Sequence, residues 1–450
     1  MEYPIFRRKI YSKLLKWKKE SGGKTALLIE GARRIGKSTI VEEFAKKEYT
    51  RYLIIDFAYV SDNIKSLFND LTDLQYFFVS LQALTGKALI PGESVIIFDE
   101  VQFCPKARQA IKLLVKDGRF HYIETGSLIS IKKNIKDILI PSEERCISMF
   151  PMDFEEFLWA IGKDATYQLI QYSYEKVKPL GEKVNRDLMK LFRLYMLVGG
   201  MPQSVAEYLE KGEFSEVDKI KRDIITLYIN DFKRIDSTGK ASEIFKSIPG
   251  QLSRDLSRFR IGEVIPNSRY SRLTEIFTEL DESFTVDFCY LCQDPNVGMS
   301  LNADRDIFKM YICDTGLFVT MCFWDKDFTD NHLYQKLLTD KLAANLGYVY
   351  ENVVAQLLRS SGHALYYNIF RMKMGNEGKE INYEIDFLIS HGEKICPIEV
   401  KSSGYKAHKS LVLFKEKYSS RIEESYVLTT KDVHKEGSTI YLPVYMASLL

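Results

Sequence analysis

Gly31-Ala32-Arg33-Arg34-Ile35-Gly36-Lys37-Ser38-Thr39 fits the phosphate-binding loop pattern GxxxxGK[ST] at every fixed position. Immediately upstream, Ala26-Leu27-Leu28-Ile29 is a continuous apolar run that reads as a buried strand. Immediately downstream, the apolar residues of Thr39 to Ala45 recur at helical spacing. The motif needs this strand, loop and helix. Gly31 and Gly36 permit backbone angles that turn successive N–H groups toward a phosphate, at the positive end of the following helix. Gly31, Arg34, Gly36, Lys37, Ser38 and Thr39 are the expected cradle for ATP. Lys37 would reach the β- and γ-phosphates, and the Ser38 hydroxyl would bind Mg²⁺. The plain alternative is a glycine-bearing turn with an exposed lysine.

Further along, Ser94-Val95-Ile96-Ile97-Phe98-Asp99-Glu100 is an apolar run that ends in two acids. A parallel strand buried on both faces reads this way, and ligands collect at the carboxyl ends of such strands. Asp99 is therefore expected to hold the Mg²⁺ shell, and Glu100 to orient and deprotonate the attacking water. His121-Tyr122-Ile123-Glu124-Thr125 reads as another strand that ends at Gly126-Ser127. Ser127 is the expected sensor of the γ-phosphate, Thr125 is the alternative, and a helix N-cap is the plain reading of either. A strand over Tyr52–Phe57 separates the two motifs and favours an ATPase with a catalytic glutamate over a kinase or GTPase. No guanine-reading Asn-Lys-x-Asp element follows, so adenine is the default base.

The chain has 450 residues, so two to four domains are expected. With 46% hydrophobic and 28% charged residues it belongs among soluble globular chains. The formal charge of +2 gives no whole-chain field, and any polyanion site must be local. No apolar run approaches the roughly 20 residues a membrane span needs, and the start lacks a signal-peptide core; the expected location is cytoplasmic. The seven cysteines are scattered, which fits reduced thiols. Cys289 and Cys292 are spaced C-x-x-C inside a strand-like run without a second ligand pair, so zinc is not expected. Ile10, Leu14, Leu15 and Trp17, set among lysines and arginines, read as an amphipathic helix packed on the core with its charges solvated.

The stretches from Gly31 to Thr39, Phe98 to Glu100, Thr125 to Ser127 and Phe150 to Leu158 together resemble a prokaryotic group of AAA-type ATPases. Those proteins carry a C-terminal nuclease-like domain of unknown function. The resemblance continues in Tyr195 to Pro202, similar to the group's GG-x-P element, and in Lys309 to Leu317. It implies an AAA-type parallel α/β core over 1–160 and a helical lid over 161–235. It also implies kinship with switch-like signalling ATPases, in which a G-x-P turn of the lid contacts nucleotide. Ser142-Glu143-Glu144 stands where a glycine before Arg145 would be expected, a departure that weakens the assignment of Arg145 as a phosphate-contacting arginine. Residues 236–300 resemble a winged helix: two helical runs, then a hairpin, decorated by Arg254, Arg258, Arg260, Arg269 and Arg272 and diluted by Glu263, Glu275, Glu279, Asp281 and Glu282.

Residues 301–450 carry a second constellation: Glu351 in a helical run, Asp386 in Tyr383 to Ile389, and Pro397-Ile398-Glu399-Val400-Lys401. Alternation along a strand puts Glu399 and Lys401 on one face. The set is similar to the PD-(D/E)XK signature of restriction-endonuclease-like α/β domains. That similarity implies that Glu351, Asp386 and Glu399 bind divalent metal and that Lys401 stabilises developing charge or positions water. The competing reading is a degenerate fold whose acids pair with lysines. Two functions are weighed. One is an ATP-hydrolysing module that governs a metal-dependent nuclease acting on or binding DNA. The other is a nucleotide-controlled switch whose inactive C-terminal domain binds DNA or protein. Homo-oligomerisation stays open.

Overall fold

The computed structural model describes residues 4–126, 142–254, 256–325, 337–339, 347–373, 380–402 and 408–450. Contacts divide the chain into two units, Met1–Phe150 and Pro151–Leu450.

In the first unit, β1 (Ala26–Glu30), β2 (Arg51–Asp56), β3 (Ser94–Asp99), β4 (His121–Thr125) and β5 (Glu144–Ser148) form one sheet. Its order is β2-β3-β4-β1-β5, and every neighbouring pair is parallel. The apolar runs form central strands because helices cover both faces of a parallel sheet; β3 is buried along its whole length. Phe57, Phe68, Phe77, Phe78 and Phe98 meet edge to face in the core beside β3. The order places β4 between the strand leading into the phosphate loop and the strand ending in Asp99. Both motifs therefore emerge at the same carboxyl edge. Helix Ile10–Ser21 buries Ile10, Leu14 and Trp17 and leaves Leu15 exposed.

The second unit begins with helix Phe154–Ala160, closed at its start by a capping box between Asp153 and Glu156. Helices Glu182–Val198, Pro202–Lys211 and Phe214–Ile235 follow the apolar periodicity of the expected lid. Eight strands then form a mixed sheet: β6 (Val286–Cys292), β7 (Ala303–Ile312), β8 (Leu365–Lys373), β9 (Glu380–His391), β10 (Lys394–Lys401), β11 (Ser425–Thr429), β12 (His434–Glu436) and β13 (Thr439–Pro443). Their order is β12-β13-β11-β10-β9-β8-β6-β7.

The expected boundary at 300/301 falls beside this sheet's first hairpin, between β6 and β7. The helices before 282 and the β6–β7 hairpin exist, but 300 falls in the hairpin's own turn. The far edge of β6 pairs with β8 through Cys289↔Leu365. The hairpin is therefore part of the large sheet rather than a free wing, and β6 is too buried for a solvent-facing edge. The arginines of this region are partly neutralised: Arg254 and Arg260 both pair with Glu263, at 2.8 and 3.0 Å.

The GG-x-P and Lys309–Leu317 stretches, far apart in sequence, meet within this unit. Asp314 accepts hydrogen bonds from the Gly200 N–H at 2.5 Å and from the Leu317 N–H at 2.9 Å. Met152 N–H donates to the Gly200 carbonyl at 2.7 Å. The backbones approach so closely that a Cβ on Gly200 would overlap the Met152 carbonyl, and one on Gly316 would press on the Gly199 Cα.

Candidate functional site

β1 delivers the chain into the phosphate loop, and helix Lys37–Glu48 leaves it. Gly36 sits at the helix start with φ 91° and no side-chain cap, so the first-turn N–H groups stay available to a ligand. Arg34 adopts φ 70°, uncommon for a residue with a side chain, and is exposed. The Lys37 ammonium folds back on the loop and donates to the Gly31 and Ala32 carbonyls, each at 2.8 Å. Burial pushes Lys37 down to about 8, against the opposing pull of Glu100 and Asp99.

Across the sheet, Ser38 Oγ donates to Asp99 Oδ1 at 2.9 Å. Thr125, at the end of β4, donates to that same oxygen. Glu100 follows with φ 50°, in the left-handed region, and accepts a hydrogen bond from Gln102. A hydroxyl and a carboxylate converging from the loop and from β3 form the hard oxygen donor set that Mg²⁺ takes. The structure thus brings Lys37, Ser38, Asp99 and Glu100 to one edge. Ser127 lies outside the described residues; Thr125 is the residue from that strand seen to touch Asp99. Thr39 is exposed in the first helical turn. Arg145 lies exposed on β5, 3.8 Å from Glu20.

In the second unit, Glu351 lies on helix Gly347–Ser360, Asp386 on β9, and Glu399 and Lys401 on β10. The helix is pinned by its own amides. Asn352 exchanges hydrogen bonds with the Ile312 backbone at 2.9 and 3.0 Å, and Gln356 accepts from Thr315 N–H at 2.8 Å. Gln356 also donates to the Tyr195 hydroxyl at 2.8 Å. Asp386 accepts from the Val400 N–H at 2.7 Å, which ties β9 to β10 at the site. Glu399 is 1% exposed; one oxygen pairs with Lys401 at 2.7 Å, and the other is buried without a hydrogen-bond partner among the described residues. Burial and the nearby Asp386 push Glu399 up to about 7, while Lys401 pulls it down.

Three further residues join this centre. Lys309 on β7 is buried, hydrogen-bonds Glu384 and stands 3.8 Å from Glu351. Its ammonium is held well above the usual lysine range, because Glu351, Tyr311 and Glu384 outweigh its desolvation. Tyr311 donates to Glu351 at 3.3 Å. Lys309 and Tyr311 belong to the Lys309–Leu317 stretch, and their spacing of two along a strand was the available signal that they share a face. Among the described residues, no group of three or more His, Cys, Asp or Glu side chains is placed to hold a metal ion. Glu351 and Glu399 are engaged by Lys309 and Lys401, and Asp386 by the Val400 N–H. Cys289 and Cys292 are buried and unpaired by disulfide.

Residues 23–158 match the family model described as an AAA domain. Residues 189–327 and 346–446 match two models described as domains of unknown function, DUF8612 and DUF4143. No curated protein matches the chain. Among solved structures, the Walker-type ATPase PABY2304 of Pyrococcus abyssi is 16% identical with a TM-score of 0.42, over 70% of this chain and 96% of that one. The Holliday junction branch migration motor RuvB of Thermotoga maritima is 12% identical at 0.30, over 64% and 90%. Cdc6p of Pyrobaculum aerophilum is 10% identical at 0.26, over 76% and 97%. No helix among the described residues is long and apolar enough to cross a membrane.

Proposed function

Taking residues 23–158 as an AAA-type ATPase domain, we propose that the chain binds and hydrolyses ATP at the carboxyl edge of the first sheet, in the cytoplasm. The observation that carries this reading is the Ser38–Asp99 hydrogen bond of 2.9 Å, which joins the phosphate loop to the acidic strand end. In this reading the loop N–H groups from Gly31 to Thr39 bind the phosphates, and Arg34 flanks them from the exposed side. Lys37 leaves the loop carbonyls for the β- and γ-phosphates, exchanging two neutral acceptors for charged ones. Ser38 and Asp99 would hold Mg²⁺, which, when bound, offsets the phosphate charge. Glu100 accepts a proton from the attacking water. Thr125, or Ser127 beyond it, orients the terminal phosphate. Lys37→Ala should abolish turnover measured by phosphate release; ordinary turnover in that variant removes the site assignment.

The second part of the proposal is that this ATPase governs a restriction-endonuclease-like domain that acts on or binds DNA. Glu351, Asp386 and Glu399 would be the metal-binding acids and Lys401 the charge-stabilising lysine. The buried oxygen of Glu399 that has no hydrogen-bond partner among the described residues supports this reading, since such a carboxylate oxygen suits an added cation. A second reading is a switch-like ATPase whose C-terminal domain only binds DNA or a protein, another copy of itself included. The pairing of these acids with Lys309 and Lys401 favours that alternative. A cleavage assay on linear, nicked and single-stranded DNA with Mg²⁺ or Mn²⁺, with and without ATP, separates the two. Cleavage lost in Asp386→Ala supports the nuclease. No cleavage alongside ATP binding leaves the switch.

A further inference from the structure

The segment ahead of helix Ile10–Ser21 reaches the phosphate loop through Arg8. Arg8 is 6% exposed. Its Nη1 donates to the carbonyl of Ile35 at 2.8 Å, and its Nη2 donates to the carbonyl of Phe150 at 2.6 Å. Ile35 is the loop residue just before Gly36 and Lys37, and its own side chain is fully buried. Phe150 lies just past β5, where the chain runs beneath the loop. Met149 N–H extends the β1–β5 pairing by donating to the Glu30 carbonyl at 2.8 Å, and a Cβ on Gly31 would overlap the Met149 carbonyl.

A loop that binds phosphate must point its N–H groups inward, so its carbonyls must point outward and find donors there. Arg8 supplies that donor for Ile35, at the peptide adjoining the two residues that carry the cradle's chemistry. The guanidinium suits the task because its donors sit in a rigid planar fork, which can hold two carbonyls at a fixed separation; a lysine offers a single point charge. Its positive charge also stays one peptide behind the place where a polyphosphate would lie.

We propose that Arg8 is a positioning residue of the nucleotide site, holding the phosphate loop open for ATP by clamping Ile35 to Phe150. This rests on the nucleotide reading of the loop. Arg8 acts through the loop backbone, at the Ile35 carbonyl. Removing it leaves the catalytic groups present but lets the cradle relax, so the loss falls on nucleotide binding rather than on chemistry.

The test is titration of the full chain with a fluorescent ATP analogue, together with steady-state turnover, for wild type, Arg8→Met and Arg8→Lys. Two hydrogen bonds from a charged donor predict that Arg8→Met weakens binding roughly tenfold to hundredfold and raises KM by a similar factor. The kcat should stay within about twofold of wild type, and Arg8→Lys should fall in between. Wild-type affinity in a folded Arg8→Met, or a lower kcat at unchanged KM, overturns the proposal. If Arg8→Met does not fold, Arg8→Lys decides: affinity weaker than wild type supports the clamp, and equal affinity overturns it. Failure of the wild-type chain to bind the analogue, with no change in Lys37→Ala, overturns the nucleotide reading and Arg8's role with it. An intact Lys37 dependence with no Arg8 effect removes Arg8 alone.

Discussion

Raising the pH should weaken ATP binding through Lys37, and the size of the effect follows from its surroundings. Burial pushes this lysine down to about 8, while the nearby Asp99 and Glu100 only partly offset the desolvation. The free site therefore loses the ammonium as pH rises through 8. A polyphosphate favours the charged form, so the bound site keeps it. For a single coupled proton, the apparent dissociation constant scales as one plus ten to the power of pH minus pKa. Relative to low pH it is about 1.1 at pH 7, about 2 at pH 8 and about 11 at pH 9, a weakening of roughly tenfold or about 1.4 kcal/mol. The assay is equilibrium titration with a fluorescent ATP analogue from pH 6.5 to 9.5, with Lys37→Arg as the control because a guanidinium does not titrate there. A flat wild-type curve to pH 9 refutes the argument. An identical bend in Lys37→Arg also refutes it, since the proton would then belong to another group.

Glu100→Gln should keep ATP affinity and lower kcat by about 10²- to 10⁴-fold, as loss of a general base does; near-normal phosphate release would clear Glu100 of that role. Asp314→Ala leaves the Gly200 and Leu317 N–H groups buried without their acceptor, and should cost about 2–5 kcal/mol in urea unfolding; an unchanged midpoint contradicts the importance given to that contact. Lys309→Met strands Glu384 and Glu351 without their buried ammonium and should cost about 3–5 kcal/mol at pH 7. That loss should shrink at acid pH, where the carboxylates take up protons, and equal losses at pH 7 and 5 would point to packing instead.

The phosphate loop, the acidic end of β3 and the strands around them were legible because their chemistry is local. Glycines, a lysine and a hydroxyl at fixed spacing follow an apolar run, and parallel burial demands such runs. The acids of the second unit were legible for the same reason, as alternation along one strand fixes the shared face of Glu399 and Lys401. What sequence did not display is long-range pairing. β6 joins β8 across more than seventy intervening residues, so the hairpin read as a separate wing. Lys309 and Tyr311 sit in a stretch singled out only by resemblance, and nothing local says that Glu351 and Glu384 come to meet them. Arg8 was one basic residue among many, distinguished only by the carbonyls that folding brings to it. Thr125 and Ser127 stood level in the sequence, and the register of β4 brings Thr125 to Asp99.

The seam between Met152, Gly199–Gly200 and Gly316 has a consequence for how this chain can drift over generations. At Gly200 and Gly316 the atoms in the way are main chain: the carbonyl of Met152 and the Cα of Gly199. Those atoms are present whatever residues occupy the neighbouring positions, so no second-site change can make room for a side chain. Gly199 is held to glycine on a second ground, because its φ of 85° strains any side chain whatever space the Asp314 carboxylate leaves. A suppressor screen should therefore recover Gly199→Ala, Gly200→Ala and Gly316→Ala only by restoring glycine, and a second-site suppressor at position 314 would contradict this account.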